Sequence, residues 1–172
     1  MTTTLESLPS RGDASPVDLD WLAGRALHLA ASPDLWRPLV ETAAGERWYA
    51  PVAVDDQSEA WLMGWPAWER IELHDHGGSS GAFCVVEGRL LETWVDRQGG
   101  GALRRRRLRP GQLVAFGPDH VHDVVGTEEG QSLSIHVYSP RLRSLNFYEA
   151  HWGGRLEWLR TDPTSVPELT VA

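Results

Sequence analysis

From Arg47 onward the chain consists of short apolar segments cut at close intervals by Gly, Pro, Asp and Asn. They are RWYAPVAV, EAWLMGW, RIELHDH, GAFCVVEG, RLLETWVD, LRRRRLRPG, QLVAFG, HDVVG and SLSIHVYS. Most are rich in β-branched and aromatic residues, LRRRRLRPG being the exception. This spacing predicts an all-β barrel or sandwich, not alternating strands and helices. The segment before Arg47 reads differently. SPVDLDWLAGRALHLAAS opens on Ser15-Pro16 with acids in its first turn, a helix start, although Leu19, Leu22, Leu27 and Leu29 form no clean stripe. SPDLWRPLVETA repeats the signal, with Ser32 as candidate N-cap and Pro33 at the first helical position. Pro38 lies too deep for an undisturbed helix, so this second one is expected to be short or kinked.

The organisation expected is a polar, disordered leader over residues 1–14 and a single domain over 15–172. Within that domain we expect helices over 15–45, the β unit over about 46–150 and an extension over 151–172. A length of 172 residues suits one domain with a sizeable core. No apolar run is long enough to span a membrane, and the first residues lack the basic start and apolar stretch of a secretory signal. The lone Cys84 precludes an intramolecular disulfide and fits a reducing, cytoplasmic setting. A formal net charge of −8 argues against a nucleic-acid partner. The basic run Arg104 to Arg107 sits in an expected strand, where alternation sends Arg104 and Arg106 to one face and Arg105 and Arg107 to the other. We read it as a solvated edge strand guarded by charge.

Candidate chemistry lies with the histidines. Side chains two apart on a strand share a face, so His74 and His76 aim two imidazoles into one interior. A third from a later strand would complete a metal site. His120 and His122 would face the same way on one strand, and spacing alone does not choose between them. SLSIHVYS places Ser134, His136 and Tyr138 at alternating positions on one face of a strand. Taken singly, each could be a polar residue meeting solvent.

HDHGGSSGAFCVVEG resembles the first motif of the cupins, a His-x-His followed by an acid and then a glycine, here Gly88. The acid's position is Gly81. GQLVAFGPDHVHDVVG resembles the second motif, with Gly111, Pro118 and a histidine that fits His122 best; His120 would then stand behind the ligands or at the rim. SLSIHVYSP is similar to the Ser-x-His-x-Tyr triad of cupin thiol dioxygenases. The chain thus looks like a member of the cysteine dioxygenase family from about Arg47 to Pro140. That resemblance implies a cupin (jelly-roll-like) β-barrel with short N-terminal helices. It also implies Fe(II) held by His74, His76 and His122, with a small thiol and dioxygen as partners. Both oxygen atoms would pass to sulfur, giving a sulfinate. Ser134 and His136 would orient Tyr138, whose hydroxyl would reach the substrate.

Without the carboxylate, three neutral imidazoles leave the metal's charge unneutralised and other positions open, which suits an anionic ligand such as a thiolate. Imidazole ligands alone do not name the metal. Two departures from the family are visible. Animal members carry a cysteine at the position of Gly81, cross-linked to the active-site tyrosine; Gly81 rules that link out for Tyr138, and Cys84 reads as a small core hydrophobe. The family's carboxylate-clamping arginine aligns with Pro51, which has neither charge nor donor, so free L-cysteine is not the expected substrate. Arg47 is no clear replacement, and Arg70 is the other candidate. Nine Trp accompany only three Phe and three Tyr. Trp48, Trp61, Trp65 and Trp68 cluster just before the metal motif, and rings at a pocket mouth would suit a thiol or thione bearing a quaternary ammonium, ergothioneine being one such betaine. 3-Mercaptopropionate is another candidate. The rival classes are a different metal-dependent cupin enzyme and a non-enzymatic ligand-binding cupin. The Ser134–His136–Tyr138 triad favours thiol chemistry over the first, and the acidic charge disfavours a regulator among the second.

Overall fold

The computed structural model describes residues 18–40, 46–127 and 130–164. The expected leader and the Ser15-Pro16 start signal lie outside them. Helix α1 spans Leu19–Ala30, capped by Asp18, whose side chain accepts the backbone N–H of Asp20 at 3.1 Å. Its buried stripe is Leu22, Ala26 and Leu29, while Leu19 and Leu27 face outward. Helix α2 is only Pro33–Trp36, passing into a 3₁₀ turn at Arg37–Leu39 where Pro38 breaks the ladder. Ser32 precedes α2 but does not cap it. Its hydroxyl instead donates back to the His28 carbonyl of α1 at 2.8 Å.

Eleven strands follow among the described residues: β1 Trp48–Val54, β2 Glu59–Pro66, β3 Arg70–Asp75, β4 Ser80–Glu87, β5 Leu90–Asp96, β6 Ala102–Leu108, β7 Leu113–Phe116, β8 His122–Gly126, β9 Gln131–Ser139, β10 Ser144–Ala150 and β11 Leu156–Pro163. They form a five-stranded sheet, β1-β2-β9-β4-β7, and a six-stranded sheet, β11-β10-β3-β8-β5-β6, with antiparallel pairing throughout. The sheets do not close into one barrel; the fold is a jelly-roll-like sandwich. The segment after residue 150 is more than an extension, because β11 pairs with β10 and becomes an edge of the larger sheet.

Two apolar layers hold the assembly. Trp61, Trp65, Ile71, Phe83, Leu90 and Phe116 are among those filling the space between the sheets. Leu62, Ala82, Leu133, Ile135 and Val137 pack the other face of the smaller sheet against α1. Strand β9 therefore alternates strictly: Ile135 and Val137 meet the helix, and Ser134, His136 and Tyr138 turn inward. A polar inward face on a fully buried strand is the first mark of a site. Arg104 to Arg107 lies on β6, an edge strand, with Arg104 and Arg106 pairing on one face with acids of β5.

Candidate metal centre

His74 is the next-to-last residue of β3 and His122 opens β8, and the two are direct cross-strand partners. His76 sits just past the end of β3. The three ring centroids lie 4.9 to 5.1 Å apart, and the candidate ligand atoms all fall within 4.8 Å of one another. All three side chains are buried. Burial, with the neighbouring imidazoles, holds His74 and His76 well below the usual histidine range, and burial lowers His122 as well. They are neutral, as metal ligation requires.

Their hydrogen bonds show which nitrogen is free. His74 Nδ1–H donates to the Glu72 carbonyl at 2.8 Å, and His122 Nδ1–H donates to Glu92 Oε1 at 2.7 Å. Both rings are thereby fixed with Nε2 unengaged, as metal-bound histidines are. His76 has no hydrogen-bond partner on either ring nitrogen despite complete burial. An orphaned buried polar group costs about 1–3 kcal/mol, and a cation shared by the three rings would relieve it. The three imidazoles therefore fit a divalent transition-metal ion.

Glu92 was not anticipated as part of this site. It is fully buried on β5 and engages three groups: His122 and His120 both donate to Oε1, the latter from Nε2 at 3.0 Å, and Arg106 pairs with Oε2. Burial alone would raise its carboxyl, but these donors outweigh that and hold it well below the ordinary carboxylate range. Glu92, His120 and His122 are also close enough to resemble a metal site. Hydrogen bonds among them already satisfy the carboxylate, however, so the cluster serves better as a support for His122. The signal was present in RLLETWVD: an acid, Glu92, in the middle of a largely buried strand. His120 thus stands behind His122 and stacks on Phe116 at 4.8 Å.

The position of the absent acid is filled. A Cβ at Gly81 would lie 2.6 Å from the Phe116 ring and 2.9 Å from Tyr138. Phe116 also stacks on His76 with centroids 4.7 Å apart. An aromatic ring occupies the space a carboxylate would need. Cys84 is buried and pairs across the sheet with Ile135 of the helix-facing layer, away from Tyr138.

Along β9, Ser134 Oγ is 2.9 Å from His136 Nε2, and His136 Nδ1 is 3.0 Å from the Tyr138 hydroxyl. Trp65 Nε1–H donates to Ser134 Oγ at 2.8 Å. An indole can only donate, so the serine proton stays available for His136 Nε2. In that arrangement His136 Nδ1–H donates to the tyrosine oxygen, and the Tyr138 O–H is free to point toward the histidine cluster. Burial, with His122 and Arg47 nearby, brings His136 down to about 3, so it stays neutral. Burial pushes the Tyr138 hydroxyl far up, keeping its proton in place. The Phe83 ring stacks on His136 at 4.9 Å and 9°, and Tyr138 lies 5.2 Å from His76.

Beside this cluster is a cavity of about 260 Å³ lined by Arg47, Tyr49, Glu59, Trp61, Met63 and Phe147, among others. Phe147 packs on His74 at 5.9 Å. The expected substrate contacts divide. Trp61 lines this cavity. Trp65 is buried beneath it as the donor to Ser134. Trp48 is turned by strand alternation into the helix-facing layer, where its indole bonds Gln131 and fills the space over Gly64. Arg70 is mostly exposed and pairs with Asp123 at 2.8 Å. A bulge in the β3–β8 register between Ile71 and His74 breaks the parity that would have turned Arg70 inward with the histidines. Arg47 reaches the cavity instead, its guanidinium 5.4 Å over the Trp65 ring. Trp68 is largely exposed.

Solved structures share the fold. A protein of Thermus thermophilus matches with a TM-score of 0.53 at 18% identity, covering 61% of this chain and 93% of that one. A cupin superfamily protein of Desulfitobacterium hafniense matches with a TM-score of 0.50 at 14% identity, covering 61% and 87%. KdgF from a Halomonas species matches with a TM-score of 0.50 at 22% identity, covering 59% and 86%. At the level of family, the model for cysteine dioxygenase type I matches residues 30–151. With an inward-facing Ser-His-Tyr relay beside three buried imidazoles, the chain belongs to the cysteine dioxygenase type I family.

Proposed function

We propose that this protein is a mononuclear Fe(II) thiol dioxygenase, converting a small thiol or thione and one dioxygen into the corresponding sulfinate. The observation that carries the reading is the hydrogen-bonded run Trp65–Ser134–His136–Tyr138 ending beside His74, His76 and His122. Those three histidines would hold the iron, which would supply the redox chemistry that joins dioxygen to sulfur. The protein supplies position and a dry, shaped site. Glu92 orients His122 and places a negative charge behind it. Tyr138 keeps its proton and donates a hydrogen bond to substrate or oxygen; His136 and Ser134 set the direction of that donation. Phe116 and Phe83 hold the rings and exclude water.

Pro51 in place of the family's arginine argues against free L-cysteine. The rings of Tyr49, Trp61 and Phe147 favour a bulkier thiol bearing a quaternary ammonium, a betaine such as ergothioneine, with 3-mercaptopropionate as the anionic comparison. A cytoplasmic setting, where thiols stay reduced, suits both substrate and Cys84.

The test is oxygen uptake by Fe(II)-loaded protein with cysteine, cysteamine, 3-mercaptopropionate and ergothioneine, with His76→Ala as control. Uptake with a thiol, matched by sulfinate and lost in the control, supports the proposal. No uptake with any thiol by iron-replete protein overturns it in favour of another cupin enzyme or a ligand-binding protein.

A further inference from the structure

Glu59 is fully buried at the start of β2, directly across from Tyr138 of β9, and lines the cavity beside the histidines. Its Oε1 accepts the Leu142 backbone N–H at 3.1 Å; the buried Oε2 closes no full hydrogen bond, and the Trp61 indole N–H that faces the carboxylate is likewise left unpaired. A buried carboxylate oxygen short of a full hydrogen bond is uncommon, and one that lines a cavity is placed to meet a ligand there. Aromatic surface stands next to it: Trp61 is two residues along the same inward face, and Tyr49 meets Trp61 edge-on at 5.6 Å. An acid beside ring faces is the chemistry of a cation site. Arg47 and Asp162 are the cavity's other charged residues; Arg47 stacks on Trp65, and no ion pair joins it to Glu59 among the described residues.

We propose that Glu59, with Trp61 and Tyr49, selects thiols that carry a positively charged nitrogen. The inference rests on the thiol dioxygenase reading for the identity of the ligand as a thiol. Sulfur is directed to the histidine cluster, and the cationic group lies toward Glu59. A carboxylate on the same molecule would be left for Arg47. Glu59 is thus a specificity residue and not part of the chemistry on sulfur. It also explains how a pocket that has lost the arginine at Pro51 retains charge recognition, from a different strand and of opposite sign.

The experiment is anaerobic calorimetric titration of Fe(II)-loaded protein, wild type and Glu59→Gln, with cysteamine, ergothioneine and 3-mercaptopropionate. Glutamine keeps an acceptor for Leu142 while removing the charge. The two cationic thiols are expected to bind at least about tenfold more weakly to the variant, while 3-mercaptopropionate binds no more weakly. Equal weakening of all three would mean a structural role and overturn the proposal, as would no change or no binding to the wild type. If Glu59→Gln does not fold, the wild-type ranking decides: preference for 3-mercaptopropionate over both cationic thiols refutes the idea. Charge-dependent binding without oxygen uptake in a parallel aerobic run would leave Glu59's role standing and remove the dioxygenase reading.

Discussion

His122 Nδ1 and Glu92 Oε1 stand 2.7 Å apart, deep between the sheets, and Arg106 of the edge strand closes the other side of the carboxylate. A buried acid, held by His120, His122 and Arg106, places behind the histidines the negative charge that the sequence lacks at Gly81. It acts through an imidazole instead of directly. Charge and ring orientation then become one property, because the same hydrogen bond fixes both.

Replacing Glu92 by Gln should weaken metal binding by about 10–100-fold, the usual cost of losing a partner behind a ligating histidine. Competition against a chromophoric chelator measures it. Unchanged affinity would reduce Glu92 to a packing residue.

Metal binding should stabilise the fold, since the ion would bind the native cluster and not the dispersed histidines of the unfolded chain. At a free-ion concentration of 100 times Kd the gain is about 2.7 kcal/mol. For a chain of this size that is roughly 5–11 °C in Tm. Differential scanning fluorimetry with and without chelator reads the shift, and His76→Ala should abolish it.

Tyr138→Phe is expected to lower kcat by about 10²-fold with iron content unchanged, because only the proton donor is lost. Loss of iron in that variant would contradict the role given to the hydroxyl. Trp65→Phe removes the donor to Ser134 at the head of the relay, and its effect on kcat should be smaller. The two should not add: Trp65→Phe in the Tyr138→Phe background is expected to change kcat little, since there is no hydroxyl left to direct. Steady-state oxygen uptake on the double-mutant cycle checks this.

Gly81→Ala should destabilise the protein by about 1–3 kcal/mol, the cost of crowding a packed core. The new methyl meets Phe116 at 2.6 Å and Tyr138 at 2.9 Å. Thermal denaturation measures it. A neutral outcome would mean that Phe116 moves freely and that the site has room for a further ligand.

The amino-acid sequence by itself determined the architecture and the identity of the central residues. Short alternating segments between turn residues dictate paired strands, and the spacing of His74, His76, His122, Ser134, His136 and Tyr138 is written locally within three of those segments. Strand parity sufficed to put Ser134, His136 and Tyr138 on one face of β9. The partners of these residues were settled only by tertiary structure, because they come from strands distant in sequence. Glu92 reaches His122 through β5–β8 pairing, Arg106 reaches Glu92 through β5–β6, and Glu59 faces Tyr138 through β2–β9. Parity also failed where the ladder slips. The bulge after Ile71 puts Arg70 outside while the histidines stay inside, and the face of each β1 residue was fixed only by its β2 partner, which sent Trp48 to the helix, while Arg47, just before the strand, reaches the cavity. Alternation is a property of one strand, but which face is interior depends on what the folded chain lays against it.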